Sequence, residues 1–185
     1  MRPHLPRLGH ALHQLLCTRR TAALATLGAG GTPSVSLVPF AVDPLGDGAP
    51  VLVLHVSALA AHCAHLQAHP RAALLIGAPE VPGAPVHDLA RVSIEVLAHT
   101  PEPGSPAART AEAAYALRFP DAAFMTALPD FRFVTLTPTG ARQIAGFGSA
   151  RSVGADELAQ ILALGTPCID GAMGSGAPDD PANAA

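Results

Sequence analysis

Residues 91–99 alternate without a fault: Val92, Ile94, Val96 and Ala98 fall on one parity, Ser93, Glu95, Leu97 and His99 on the other. A period of two is the mark of a β-strand with one buried face, so this segment belongs to a sheet that covers a core. The remaining apolar stretches are equally short. Residues 21–27, 34–42, 51–56, 71–76, 131–136 and 141–145 read as strands, with turn chemistry at 28–31, 79–85, 101–106 and 138–140 between them. The first two form a hairpin around Gly28-Ala29-Gly30-Gly31. Helical spacing appears in four places. Leu5, Leu8, Leu12, Leu15 and Leu16 share one face of an N-terminal helix within residues 1–20, closing near Arg19 and Arg20. Residues 59–69 and 107–119 are helical by composition, and 156–164 more weakly so. The fold class that follows is mainly β with flanking helices, a small barrel of six to seven strands.

At 185 residues and 49% apolar content, the chain has ample material for one core. Residues 1–151 are expected to make one domain, followed by a helix within 152–164 and a disordered tail over 165–185, which is rich in Gly, Ala, Pro and Asp. Charged residues are only 14%, against about 25% in an average chain, and the net charge is -3. Such a surface does not neutralise a nucleic-acid backbone, so nucleic acid is set aside as a partner. All 11 cationic side chains are arginine. Lysine-dependent chemistry, a Schiff base or a Walker loop, is thereby excluded, and an anion must be held by Arg, His, hydroxyls and backbone. Cys17, Cys63 and Cys168 show no metal-binding or disulfide spacing, and no apolar run approaches the ~20 residues of a membrane span. A cytoplasmic protein with no membrane partner is expected.

The segment from Val51 to His62 carries most of the functional signal. A β-branched run ends at Ser57 and passes directly into an Ala/Leu helix, so free backbone N–H groups are expected at a strand end, an arrangement suited to an anion. Ser57 reads as the N-cap, and His62 stands a turn further on as a hydrogen-bond donor. An ordinary capped helix is the alternative.

Five strings in this order resemble the FMN-binding split β-barrel family that includes pyridoxamine 5′-phosphate oxidase, closest to its heme-utilisation branch: residues 21–27, 33–40, 57–62, 70–75 and 146–151. The resemblance implies a homodimeric split barrel with FMN between subunits, transferring electrons or hydride to a small-molecule substrate. By position, Ser36, Leu37 and Val38 would present strand backbone to the flavin ring. Ser57, Ala61 and His62 would meet its phosphate, His62 standing where the oxidase branch has lysine. Arg91 and Arg151 match positions that reach the flavin or substrate. The tryptophan of the oxidase branch is absent. In the heme branch a C-terminal segment supplies a histidine to iron, whereas here the histidines stop at His99. Heme in the same dimer groove is the alternative ligand, and a barrel without a cofactor is the third reading.

Other chemistry finds less support. His62, His65 and His69 gather on one helix face, but the outer two are about 10 Å apart by helix rise, so no metal site is assigned and His65 and His69 are expected in solvent. Cys63 reads as buried packing. Glu95 is expected to pair across strands with Arg91 or another arginine rather than act as a base. No residue is assigned a catalytic role, since no triad or carboxylate pair is present and any chemistry would belong to a cofactor.

Overall fold

In the computed structural model, which describes residues 5–165, the chain begins with helix α1 (Arg7–Thr18), entered at Pro6 and leaving at Arg19. Leu12, Leu15 and Leu16 are buried on its inner face, Leu5 just ahead of it is buried as well, and Leu8 is half-buried. The strand β1 (Thr21–Leu27) turns through Gly30 and Gly31, both at positive φ where only glycine sits without strain, into β2 (Pro33–Pro39). Their register sets Ala23 opposite Leu37 and Ala25 opposite Val35.

The reading of 34–42 as one strand is corrected here. Pro39 ends β2, Phe40 donates its N–H to the carbonyl of Arg20, and β3 (Ala41–Asp43) then pairs with β4 (Val51–Ser57) instead of β1. After β4 come helix α2 (Ala61–Ala68), β5 (Arg71–Gly77), β6 (Arg91–His99), helix α3 (Pro106–Arg118), β7 (Phe131–Ile144), β8 (Ala150–Gly154) and helix α4 (Ala155–Leu162). The sheet order is β2-β1-β5-β6-β7-β4-β3, all antiparallel, with β8 on the far half of β7. β2 and β3 are consecutive in the chain yet stand at opposite ends of that order. The sheet therefore curls round until its two edges meet at Phe40, whose 1% exposed ring fills the interior. This is a split β-barrel, with eight strands among the described residues in place of six or seven.

A further expectation gives way in β7. Residues 138–140 do not turn: the strand runs through them as a bulge, with Val96 opposite Pro138 and Glu95 opposite Gly140, leaving Thr139 as the extra residue. Proline has no N–H to give a ladder, and a bulge is one of the few places a strand accommodates it. The bulge also resets the parity. Val134 and Leu136 face the core before it, Ala141 and Gln143 after it. Strand β8 is absent from the sequence reading because only Val153 in it is buried.

The two faces of the sheet are treated unequally. The inner face carries the main core, closed by α1 and α4, with Leu52, Leu54, Leu74, Ile76, Ile94 and Leu136 fully buried. On the outer face, α3 covers β3 and β4 with Ala111, Tyr115 and Phe119 against Ala41, Val51 and Val53. That second layer explains why β4 is buried on both faces. α3 is capped by Ser105, whose Oγ accepts from the Ala108 N–H, and is tied to α1 by Arg118, which donates to the carbonyls of Cys17 and Arg19. Among the described residues no helix covers the outer face of β2, β1 and β5. Leu37 there is 75% exposed and Val35 69%. No helix among the described residues is long and apolar enough to cross a membrane, and the tail expected to be disordered, from 166 on, lies outside the described residues.

His55 sits in the α3 layer, ringed by Tyr115, Phe131 and Phe133 at centroid distances of 5.4, 5.0 and 4.6 Å. Burial pushes its pKa below the ordinary 6.5, opposed by the nearby Glu112 charge. The folded protein thus prefers neutral imidazole, while the unfolded chain takes up a proton below about 6.5. Stability from this residue is complete above that value and is lost as pH falls through the folded-state pKa. Melting temperature is expected to fall between pH 7.5 and 5.5, and His55→Phe to shrink that fall. An unchanged pH profile in the variant would exclude His55 as the titrating group.

Candidate ligand site

Ser57 ends β4 without capping α2. The turn of residues 57–60 comes between them, the N-cap is Ala60, and no side chain caps the helix. The local reason is that the Ser57 hydroxyl oxygen accepts the Leu59 N–H at 3.2 Å, a short-range bond that competes with capping. The same hydroxyl donates to Oδ2 of Asp130 at 3.2 Å, and the Ala58 N–H donates to the Asp130 carbonyl at 2.6 Å. Asp130 arrives from the turn that opens β7, whose first residue, Phe131, is opposite Ser57. The junction chosen on the sequence thus has an acid bound at its serine, and Asp130 was absent from the expected site.

His62 and Ser36 do come together. The His62 Nδ1 lies 3.1 Å from Ser36 Oγ, joining α2 to the inner side of β2. Burial lowers the His62 pKa, and the neighbouring His65 lowers it further. Both effects disfavour the charged imidazole, which makes it a weak substitute for a lysine charge. His65 is not in solvent as expected: its Nδ1 lies 3.0 Å from Thr26 Oγ1, and the ring is half-buried beside Gly28. His69 is exposed and Cys63 buried. Ala61 is the first residue of α2 and is exposed. Among the described residues no group of three or more His, Cys, Asp or Glu is placed to hold a metal.

The other expected residues lie elsewhere. Leu37 and Arg91 share a groove of about 280 Å3 on the outer face, with Ala23, Leu75 and Gly77 as floor and Arg19, Leu89 and Glu80 around it. Arg91 donates to the Leu89 carbonyl at 2.9 Å, and Arg19 Nε is buried without a hydrogen-bond partner. Val38, by the alternation of β2, faces inward and is 3% exposed. Arg151 is on the core side of β8. It donates to Gln143 Oε1 at 2.8 Å and to both carboxylate oxygens of Glu157 at 2.8 and 3.0 Å, while Gln143 donates to the Leu8 carbonyl. This joins β7, β8, α4 and α1, and it keeps Arg151 apart from Arg91, since the two side chains leave opposite faces of the sheet.

Glu95 has no ion pair within 4 Å; among the described residues that distance is met by Arg151 with Glu157. Glu95 and Arg91 are four residues apart on one strand, about 13 Å by strand rise, and the residues opposite Glu95 are Ala73 and Gly140. The expected pairing is corrected on that geometry.

A flavin phosphate finds a poor counterpart here. At the β4–α2 corner the serine and one amide already bond Asp130, burial lowers the pKa of the imidazole, and the chain has no lysine. The residues present do not fit a phosphate dianion. The outer groove is different in kind, an apolar floor with the Arg19 and Arg91 guanidinium groups and the Glu80 carboxylate around it.

Comparison with known proteins bears on these alternatives. Among solved structures, a heme binding protein from Mycobacterium smegmatis matches with a TM-score of 0.71 and 29% identity, over 85% of this chain and 62% of that one. The heme storage protein HutZ from Vibrio cholerae matches at 0.65 and 25% identity, over 74% of this chain and 94% of that one. ChuZ from Campylobacter jejuni shares the fold, with a TM-score of 0.72 at 21% identity over 89% of this chain and 66% of that one. The chain therefore spans less than two thirds of the length of the first and last of these. No curated protein matches the sequence. Residues 8–145, from α1 to the end of β7, match the family described as pyridoxamine 5′-phosphate oxidase. With three quarters of its length and strands β1 to β7 inside that match, the chain belongs to the pyridoxamine 5′-phosphate oxidase family.

Proposed function

We propose that the chain is a dimeric split-barrel protein that holds a flat, carboxylate-bearing ring compound at the joint between two copies, and that heme is this ring. The observation that carries the reading is the outer face of β2, β1 and β5. Leu37, Ala23 and Leu75 stand side by side in register, Val35, Ala25 and Ala73 in the next row, and among the described residues no helix covers them. Exposed apolar area of this kind favours a partner surface, and a second copy offers the same surface to itself. At the edge of this face the groove has Leu37 and Leu75 on its floor and two arginines, Arg19 and Arg91, against one carboxylate, Glu80, around it, a lining that suits an apolar plane with anions along the arginine side. The names of the M. smegmatis and V. cholerae structures support heme as the ligand. No histidine lies among the groove's lining residues, so the reading rests on the ring and its carboxylates and assigns no iron ligand.

An FMN-dependent oxidoreductase acting on a small substrate is the second reading. The family match favours it, and so does the Ser36–His62 pair beside the corner. One titration separates them. Hemin added to the purified protein is expected to give a shifted Soret band that saturates, with Arg91→Ala weakening the binding about tenfold, the loss of one charge-assisted contact. Hemin absorbance identical to that of free hemin, together with stoichiometric quenching of FMN fluorescence, would replace the first reading with the second.

A further inference from the structure

Glu95 is the one acid among β1, β2, β5, β6, β7 and β8, and it stands on the outer side of the sheet together with Arg71, Arg91 and Arg142. Two of these three guanidinium groups are engaged inside the chain. Arg91 donates to the Leu89 carbonyl and Arg142 to the Ser152 hydroxyl at 3.4 Å. Arg71 and the Glu95 carboxylate are exposed and have no such partner among the described residues. Their register makes them diagonal neighbours, Arg71 opposite Leu97 and Glu95 opposite Ala73, with Cα atoms about 7 to 8 Å apart and long side chains that could meet. They do not meet. Both line a hollow of about 270 Å3, shared with Leu97 and Thr139, and no ion pair within 4 Å closes it.

This hollow adjoins the apolar rows of β2, β1 and β5, since Ala73 of the second row is the residue opposite Glu95. We infer that it is where a second copy locks on: Arg71 of each protomer pairs with the partner's Glu95, giving two equivalent ion pairs across a twofold axis. Symmetry makes the contact reciprocal, because a residue that meets another across an isologous interface is met by it in turn. In water an exposed pair of this kind contributes little, which agrees with two side chains left apart in the single chain. Enclosed between two apolar faces, each charge needs the other. Glu95 is also what makes the face compatible with itself, since without it two copies would bring only guanidinium groups together. The inference rests on the dimeric part of the proposed function and adds which residues fix the two copies relative to one another.

Charge reversal on separate chains tests the pairing in the full-length protein. Glu95→Arg leaves a copy with both positions positive and Arg71→Glu a copy with both negative. Each alone is expected to be a monomer at micromolar concentration, with the dimer dissociation constant raised at least about a hundredfold, and Glu95→Gln should raise it about tenfold. Mixed in equal amounts, the two reversed variants are expected to form a heterodimer about as tight as the parent dimer. Native mass spectrometry with one variant isotope-labelled identifies that species, and light scattering gives the masses of the separate samples. Both positions are exposed, so circular dichroism should show each variant folded. The double variant should also dimerise, but a pair inside one chain would restore it equally, so the mixture alone reads contact between copies. A reversed variant that stays a dimer by itself, or a mixture that yields no heterodimer, would overturn the inference. With a dimeric parent, either result removes this pairing and leaves the dimer standing, whereas a monomeric parent removes the dimer from the proposed function as well.

Discussion

Leu37→Glu is expected to convert the proposed dimer to a monomer at micromolar concentration, without loss of folded structure. The side chain leaves the outer face of β2 at 75% exposure, so within one chain glutamate meets only water at that position. In a twofold dimer built on this face, each copy would bury its own new carboxylate, and two unpaired charges removed from water cost on the order of several kcal/mol. A rise of at least about a thousandfold in the dimer dissociation constant follows from some 4 kcal/mol. Light scattering coupled to size-exclusion chromatography reads the mass, and circular dichroism with a thermal melt reads the fold. Because the proposed groove shares Leu37, hemin uptake should fall with the dimer. An unmodified protein that runs as a monomer, or a variant that remains a dimer, would place the interface elsewhere.

Phe40→Ala is expected to produce the largest loss of stability of any single truncation considered, about 3 to 5 kcal/mol, the range for deleting a buried aromatic ring. The ring is 1% exposed at the point where β2 ends and β3 begins. Its backbone N–H, bonded to the Arg20 carbonyl, is retained in the variant, so the experiment reports on the side chain alone. Urea unfolding gives the magnitude, and a melting temperature lower by about 10 °C is the thermal counterpart. A loss under about 1 kcal/mol would mean that the closure is held by the strands on either side and not by the ring between them.

Sequence periodicity locates the barrel well where one face of a strand is buried and the other is not. Val92, Ile94 and Val96 in β6 and the leucines of α1 are such cases, because the spacing of apolar residues is itself the record of the packing. It fails where packing departs from one simple period. The stretch 34–42 keeps its apolar character across Phe40 although the chain changes partners there, since a switch from one sheet edge to the other leaves no trace in composition. Pro138 and Gly140 carry turn chemistry and resemble a loop, and only the opposing strand reveals that they lie in a bulge. The site is legible in the same degree. The strand-to-helix junction and the nearness of His62 to it follow from local order, but Ser36 meets His62 across 26 residues and Ser57 meets Asp130 across 73, contacts that only the closed barrel creates. Arg151 and Glu157, six residues apart, are within reach of local reasoning as a strand residue facing the helix that follows it.

The extra residue at Thr139 ties chain length to orientation along the whole second half of β7. Removing it would shift the pairing by one place, carrying Gln143 out to water and Arg142 in toward α1 and α4, since each step along a strand exchanges the two faces. Insertions and deletions that the 44–50 and 78–90 connections can absorb at little entropic cost are therefore barred from this one position. Divergence in length within such a barrel is channelled into its connections, and the wall itself can change only by substitution.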